Sequence, residues 1–223
     1  MNSYYSDKLN SNNLKRCYEI APDRIKQFLE AEIEYTLSKI RNTDTALDLG
    51  CGYGRVAERL AVKSKEIIGI DISKDNIDLA NRFFARENAS YLEMNASNLK
   101  FNDNTFDITL CLQNGISAFK LEPLALIRES LRVTKKGGLL LISTYSDKIW
   151  DARLKWFELQ ANEGLIGDID YQLTKNGCIV CKDNFTATTY TKDDFTILAS
   201  HFDVEVQITE YDNSILFCEM VKK

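Results

Sequence analysis

Ala46-Leu47-Asp48-Leu49-Gly50-Cys51-Gly52-Tyr53-Gly54-Arg55 is the stretch around which the rest of the chain is organised. A short apolar run carrying one acidic residue leads into three glycines at alternate positions. Val56-Ala57-Glu58-Arg59-Leu60-Ala61 then continues with a helix-like pattern. The stretch reads as strand, tight glycine turn, helix. Alternate glycines let the backbone adopt positive φ and let a ligand lie against bare main chain. The following helix turns its unpaired N–H groups toward the same spot. The turn is therefore the expected seat of a small molecule.

The remaining composition limits what the protein can be. At 223 residues the chain has room for one domain with a full core. Hydrophobic residues make up 44% and charged residues 27%, as in ordinary water-soluble domains. The net charge of −5 lacks the broad basic footprint that nucleic-acid binding needs, so a nucleic-acid partner is not expected. No apolar run approaches a membrane span, and the polar start Met1-Asn2-Ser3-Tyr4-Tyr5-Ser6 lacks a signal-peptide core; a cytoplasmic protein is expected. The six cysteines are scattered and expected to be reduced. Cys178-Ile179-Val180-Cys181 has no second cysteine pair and no nearby histidine, so no metal site is expected.

Periodicity then lays out the elements. Residues 1–20 are polar and mixed. Ile25, Phe28, Leu29, Ile33, Leu37 and Ile40 recur at helical spacing after Pro22. Strands are expected at about 45–49, 66–71, 90–94, 106–112 and 139–144, alternating with helices that begin near Gly54, Ser73 and Leu121. Strands that alternate with helices imply a parallel sheet covered on both faces. Lys135-Lys136-Gly137-Gly138 reads as the close of a helix, with cations at its negative end. A helix at 148–162 follows, then two strands, 168–174 and 178–185, around Asn176-Gly177, a strong hairpin signal. A capped helix from Thr191 and two strands across the turn at 210–213 end the chain as an antiparallel pair.

Two cofactor classes use such a turn. A dinucleotide site needs Gly-x-Gly-x-x-Gly, and the position of the third glycine is taken here by Arg55. The pattern Asp48-Leu49-Gly50-Cys51-Gly52-Tyr53-Gly54 instead resembles the glycine motif of the class I S-adenosylmethionine-dependent methyltransferases. Further landmarks follow in that family's order: Asp71 closing the second strand, Asn95-Ala96 after the third, Asn104-Thr105-Phe106-Asp107-Ile108 entering the fourth, and Arg132 to Gly138 before the fifth. Asn95 departs from the more usual aspartate.

The resemblance implies an α/β, Rossmann-like, mostly parallel seven-stranded sheet. Helices cover both faces, an antiparallel strand pair closes the sheet, and a small β-hairpin insertion follows strand five. It implies one methyltransferase domain over 1–223, with an N-terminal helical cap at 1–42 and an insertion at 146–190 walling the acceptor pocket. S-adenosylmethionine is the implied cofactor. Asp71 would hold the ribose hydroxyls, Ile72, Asn95 and Ala96 the adenine, and Leu112 and Gln113 the methionine half. Asp48, Gly50, Cys51, Gly52 and Gly54 would form the turn beneath.

Methyl transfer from a sulfonium needs alignment and exclusion of water more than a metal or a covalent intermediate. His201 is read as structural. Tyr4, Tyr5, Tyr18, Asn114 and Trp150 are the candidates to face the substrate, although packing explains the tyrosines and Asn114 at least about as well, and an aromatic residue at helical spacing such as Trp150 is more often core. The expected partner is a small-molecule acceptor. A nucleic-acid methyltransferase is disfavoured, since Leu112-Gln113-Asn114-Gly115 lacks the Asn/Asp-Pro-Pro-aromatic segment of the DNA amino-methylating enzymes. A protein methyltransferase or a non-catalytic cofactor-binding domain stays open.

Overall fold

The structure, a computed structural model, describes Tyr4, Lys8, Leu9 and residues 11–223. In chain order the elements are α1 (Ser11–Glu19), α2 (Asp23–Lys39), β1 (Thr45–Leu49), α3 (Arg55–Leu60), β2 (Glu66–Asp71), α4 (Lys74–Phe84), β3 (Ala89–Glu93) and β4 (Phe106–Cys111). Then come α5 (Gly115–Ala118), α6 (Pro123–Val133), β5 (Thr134–Tyr145), α7 (Trp150–Asn162), β6 (Cys178–Val180), β7 (Thr186–Thr188), α8 (Lys192–Ala199), β8 (Val204–Tyr211) and β9 (Ile215–Lys222). The main sheet has seven strands in the order β3-β2-β1-β4-β5-β9-β8. The first five pair in parallel, and β9 runs antiparallel to both β5 and β8.

Side chains alternate across the sheet, as the two-residue strand period requires. Ala46, Ile67, Ile108, Leu141 and Phe217 face the layer of α2, α3 and α4, with Phe28, Ile33, Leu60 and Ile77. Leu47, Leu49, Ile70, Leu140 and Ile142 face α6 and α8, with Leu126, Ile127 and Phe195. Each such fully buried side chain stabilises the fold by about 1.5–3 kcal/mol. Side-chain caps begin three of the described helices, α4, α6 and α8. Glu122 accepts from Leu124 N and Ala125 N ahead of Pro123, and Thr191 and Asp194 form a reciprocal capping box on α8.

The order reverses between β2-β1 and β4-β5, so the connections leave opposite faces and open a crevice at the carboxyl ends of β1 and β4. Open α/β sheets bind ligands at such a point.

The structure refines several local readings. Residues 11–19, polar and mixed in sequence, form α1 within the stretch expected as a helical cap, with only Cys17 buried. Lys135 lies inside β5, and its Nζ is 2.9 Å from both Asp107 oxygens, so an ion pair rather than a helix end accounts for it. Asn176-Gly177 does make the tight turn, with reciprocal Lys175–Cys178 backbone bonds of 3.0 and 2.9 Å. Residues 168–174 make no strand before it. The Asp170 carboxylate accepts from Gln172 N and Leu173 N and curls the chain, leaving one bridge at Ile169–Cys181. The hairpin is β6 with β7, joined by residues 181–185.

Candidate functional site

The carboxyl end of β1 runs into the glycine turn, where Gly50, Gly52 and Gly54 have φ of 71°, 55° and 91°. A Cβ at Gly50 would overlap the Phe119 ring, and one at Gly54 would come within 2.9 Å of the Tyr91 ring. Left-handed backbone and close neighbours together exclude other residues. The turn is tied to β2 by Cys51 N to Ile70 O at 2.9 Å, and by Gly52 N to Asp71 Oδ2 at 2.9 Å. Asp71 Oδ1 accepts from Ser73 N at 2.8 Å and Asn76 Nδ2 at 3.3 Å. Its carboxylate, with about four acceptor positions, thus fixes the turn and the start of α4 together. Burial raises its pKa, against the bonds from Ser73, Asn76 and Gly52.

Beside the turn lies a cavity of 590 Å³. Asp48, Gly50, Cys51, Gly52, Asp71 and Ile72 line it from β1 and β2. Asn95 and Ala96 line it after β3, and Leu112 and Gln113 after β4. Tyr4 and Tyr18 reach it from the N-terminal segment. Three other expected residues do not line it. Gly54 serves close packing against Tyr91. Asn114 is buried, donating to Thr188 O at 3.0 Å and accepting from Thr144 Oγ1 at 2.8 Å, so it ties β7 to β5. Trp150 is packed against the core, 5.9 Å from the Arg153 guanidinium. Tyr5 lies outside the described residues. His201 is exposed and does not line the cavity.

The charged floor was only partly visible from sequence. Glu32 of α2 is fully buried; its Oε1 accepts from Ser143 Oγ at 2.5 Å and Gln113 N at 2.9 Å. Its signal in the sequence was an acidic residue on the apolar stripe of Ile25, Phe28 and Leu29, one helical turn on. Asp48 is 3% exposed, and its pKa is pushed up to about 7 by burial and then by the charges of Glu32 and Asp71, with Arg55 opposing. Burial raises Glu32 as well. Arg55, seen in the sequence only as a misfit to a dinucleotide, lines the cavity with its guanidinium 4.7 Å from the Tyr18 ring centroid. Tyr18 donates to Gln113 Oε1 at 2.5 Å. Several polar atoms here are buried without a hydrogen-bond partner among the described residues: Asp48 Oδ2, Glu32 Oε2, Gln113 Nε2, and Arg55 Nε and Nη2. Such orphans are costly in a folded protein and mark places where a ligand completes the bonding.

Aromatic side chains build the opposite wall. Trp156 and Phe157 come from α7 and Phe185 from the β6–β7 connection, beside Tyr145 at the end of β5. Trp156 Nε1 donates to Cys17 O at 2.7 Å, and Tyr4 donates to Asp183 Oδ2 at 2.6 Å, with its ring 4.8 Å from Phe185. These bonds join the N-terminal segment to the insertion across the cavity. A separate, more open depression of 730 Å³ between α7 and residues 168–172 contains none of the turn residues.

Residues 47–142 match the family model described as a methyltransferase domain. Over 139 residues the chain is 30% identical to the ubiquinone biosynthesis O-methyltransferase of Aliivibrio fischeri, covering 60% of this chain and 56% of the relative. Over 106 residues it is 33% identical to the demethylmenaquinone methyltransferase of Paenarthrobacter aurescens, covering 46% and 39%. The chain spans about half the length of the curated relatives it matches. A solved protein of Pyrococcus horikoshii aligns with a TM-score of 0.65 at 22% identity, covering 91% of this chain and 92% of that one. A methyltransferase of Thermotoga maritima, described as a possible histamine N-methyltransferase, aligns with 0.65 at 17%, covering 99% and 98%. At these identities the likeness is one of fold.

Proposed function

Residues 47–142 belong to the class I S-adenosylmethionine-dependent methyltransferase family, and on that premise we propose that this protein methylates a small-molecule acceptor by direct in-line displacement. When bound, S-adenosylmethionine supplies an electrophilic methyl group on a sulfonium centre. The observation that carries the reading is the meeting, in one cavity, of the glycine turn, Asp71 and buried polar atoms that lack partners.

The orphaned atoms fit the cofactor's amino-acid end. Asp48 Oδ2 complements an ammonium group and Gln113 Nε2 a carboxylate. Glu32 acts beneath them, holding Gln113 in its left-handed backbone (φ 51°) through the bond to Gln113 N. In this reading Asp71 holds the ribose hydroxyls with its remaining acceptor capacity. Ile72 and Ala96 flank the adenine, and Asn95 meets its polar edge. Leu112 carries the chain of the cofactor past β4, over the bare backbone of Gly50, Cys51 and Gly52.

The N-terminal cap and the 146–190 insertion close over the opposite side, and their aromatic residues exclude water and hold the acceptor. The chain's only histidine, His201, does not line the cavity. In this reading the chain contributes alignment and dehydration of the two reactants. A small-molecule acceptor suits the enclosed, aromatic cavity, and the quinone-pathway names of the curated relatives point the same way. Calorimetric titration with S-adenosylmethionine tests the reading. One saturable site per chain is expected, and no heat of binding at millimolar cofactor overturns it.

A further inference from the structure

We infer that this chain reads the base of its cofactor through a donor, the Asn95 amide nitrogen, and leaves the amino group at the six-position of the purine unread, so that a purine lacking that amino group is accepted nearly as well. This rests on the methyltransferase reading for the ligand, and on Asn95 and its neighbours for the specificity.

The orientation of the amide comes first. An asparagine side chain offers an oxygen that accepts and an NH2 group that donates. Reading adenine with both ends uses the oxygen for the amino group and the nitrogen for a ring acceptor. In Asn95 the oxygen is already committed: Oδ1 accepts from Ser97 N at 2.9 Å and from Ser97 Oγ at 2.9 Å. A main-chain N–H can only donate, so it fixes which end of the amide is the oxygen. A flipped amide would set its NH2 against that N–H. Asn95 Nδ2 has no partner among the described residues. Asn95 is exposed and lines the cavity, whereas Ser97 does not line it. The end of the side chain left for a ligand is therefore a donor.

The surrounding loop holds that orientation. Met94 N donates to Asp71 O at 2.9 Å, and Asn98 N to Asn95 O at 3.0 Å. Leu99 N donates to Glu129 Oε1 at 2.7 Å, while the Arg132 guanidinium donates to Leu99 O and Phe101 O at 2.8 Å each. Two residues of α6 thus fix the segment that follows Asn95. The side chains that line the cavity beside Asn95 supply no substitute acceptor. Ile72, Met94 and Ala96 carry no oxygen, and Met94 Sδ accepts from Lys100 N at 3.4 Å. Asp71 already accepts from Gly52, Ser73 and Asn76, and its remaining capacity goes to the ribose. A base seated here meets the NH2 of Asn95. That group suits a ring nitrogen of the purine and repels an amino group. An aspartate in the same place would keep the bonds from Ser97 and turn an oxygen to the base. The asparagine therefore changes which atom of the base is read.

The test is calorimetric titration of the full chain with S-adenosylhomocysteine and with its analogue carrying hydrogen in place of the six-amino group. In the wild-type protein the two dissociation constants are expected to agree within about fivefold, since deleting an unbonded amino group removes no hydrogen bond. Asn95→Asp turns the free end of the side chain into an acceptor. It should raise the preference for S-adenosylhomocysteine over the analogue by at least about tenfold relative to wild type. Asn95→Ala should weaken both ligands by the same factor, because the donor it removes serves both. A wild-type preference for the amino-bearing ligand beyond about fivefold overturns the inference. So does an Asn95→Asp protein with the wild-type ratio, or an Asn95→Ala protein that weakens only S-adenosylhomocysteine or neither ligand. If Asn95→Asp fails to fold, the wild-type ratio and Asn95→Ala decide. No binding of S-adenosylhomocysteine to the wild-type protein defeats the cofactor reading and the inference together; binding with a strong preference for the amino group defeats the inference alone.

Discussion

The two ends of the cavity are built in opposite ways. At the glycine turn the working parts are backbone atoms held by neighbours close in sequence. Gly52 N reaches an aspartate 19 residues away, and Cys51 N bonds the adjacent strand. At the aromatic end the working parts are side chains from segments far apart. Trp156 meets Cys17 across 139 residues, and Tyr4 meets Asp183 across 179. The first end tolerates almost no change in residue type, because a Cβ or an ordinary φ destroys it. The second is a joint, and any set of side chains that fills it preserves the fold. A fold can therefore keep its glycine turn while the aromatic wall facing it is rebuilt.

Breaking the turn should have the largest effect. Gly50→Val adds a β-branched side chain at positive φ against Phe119. It should cost about 3 kcal/mol or more and abolish cofactor binding; thermal unfolding and calorimetry check both. The charged floor comes next. Burial holds the pKa of Asp48 at about 7 in the folded state, well above the 3.8 of a free aspartate. The folded state therefore holds the proton more tightly, and the stabilisation, complete below pH 3.8, is lost as pH rises through 7. The effect is on the order of 4 kcal/mol. Asp48→Asn should flatten the pH dependence of the unliganded protein's denaturation midpoint between pH 4 and 8. A variant with the wild-type slope would show that Asp48 does not carry it.

Asp71→Ala removes the three hydrogen bonds, from Gly52 N, Ser73 N and Asn76 Nδ2, that tie the turn to the start of α4. It should weaken cofactor affinity by roughly tenfold or more, taking a hydrogen bond to a charged group as about 1.5–3 kcal/mol. An unchanged dissociation constant would take the ribose away from Asp71. Trp156→Phe should have the smallest effect. It deletes the bond to Cys17 O, costing about 1 kcal/mol of stability, and should leave cofactor affinity unchanged. A Trp156→Phe protein that loses cofactor would mean that the two ends are not separable.

The same contrast explains what could be read from the chain beforehand. The glycine turn, Asp71 and the nearly all-apolar β5 core were legible because local periodicity and backbone chemistry determine them. The hairpin insertion was legible as a hairpin, since Asn176-Gly177 carries its own turn geometry. Its strand pairing was not, because Asp170 diverts the preceding segment through a side-chain bond that strand propensity ignores. Asn114 had the residue type of a substrate contact, yet both ends of its amide are used in joining β5 and β7. Arg55 and Glu32 belong to the cavity only through tertiary contacts. In the sequence one was a departure from a dinucleotide motif and the other an acidic residue on an apolar helix face.

The most direct test is a crystal structure with S-adenosylhomocysteine. The account predicts both ribose hydroxyls on Asp71, adenine between Ile72 and Ala96, and the homocysteine end over Gly50 toward Asp48 and Gln113, with sulfur facing the Tyr18–Trp156 wall. Density for the ligand elsewhere, or a ribose that does not touch Asp71, would contradict it.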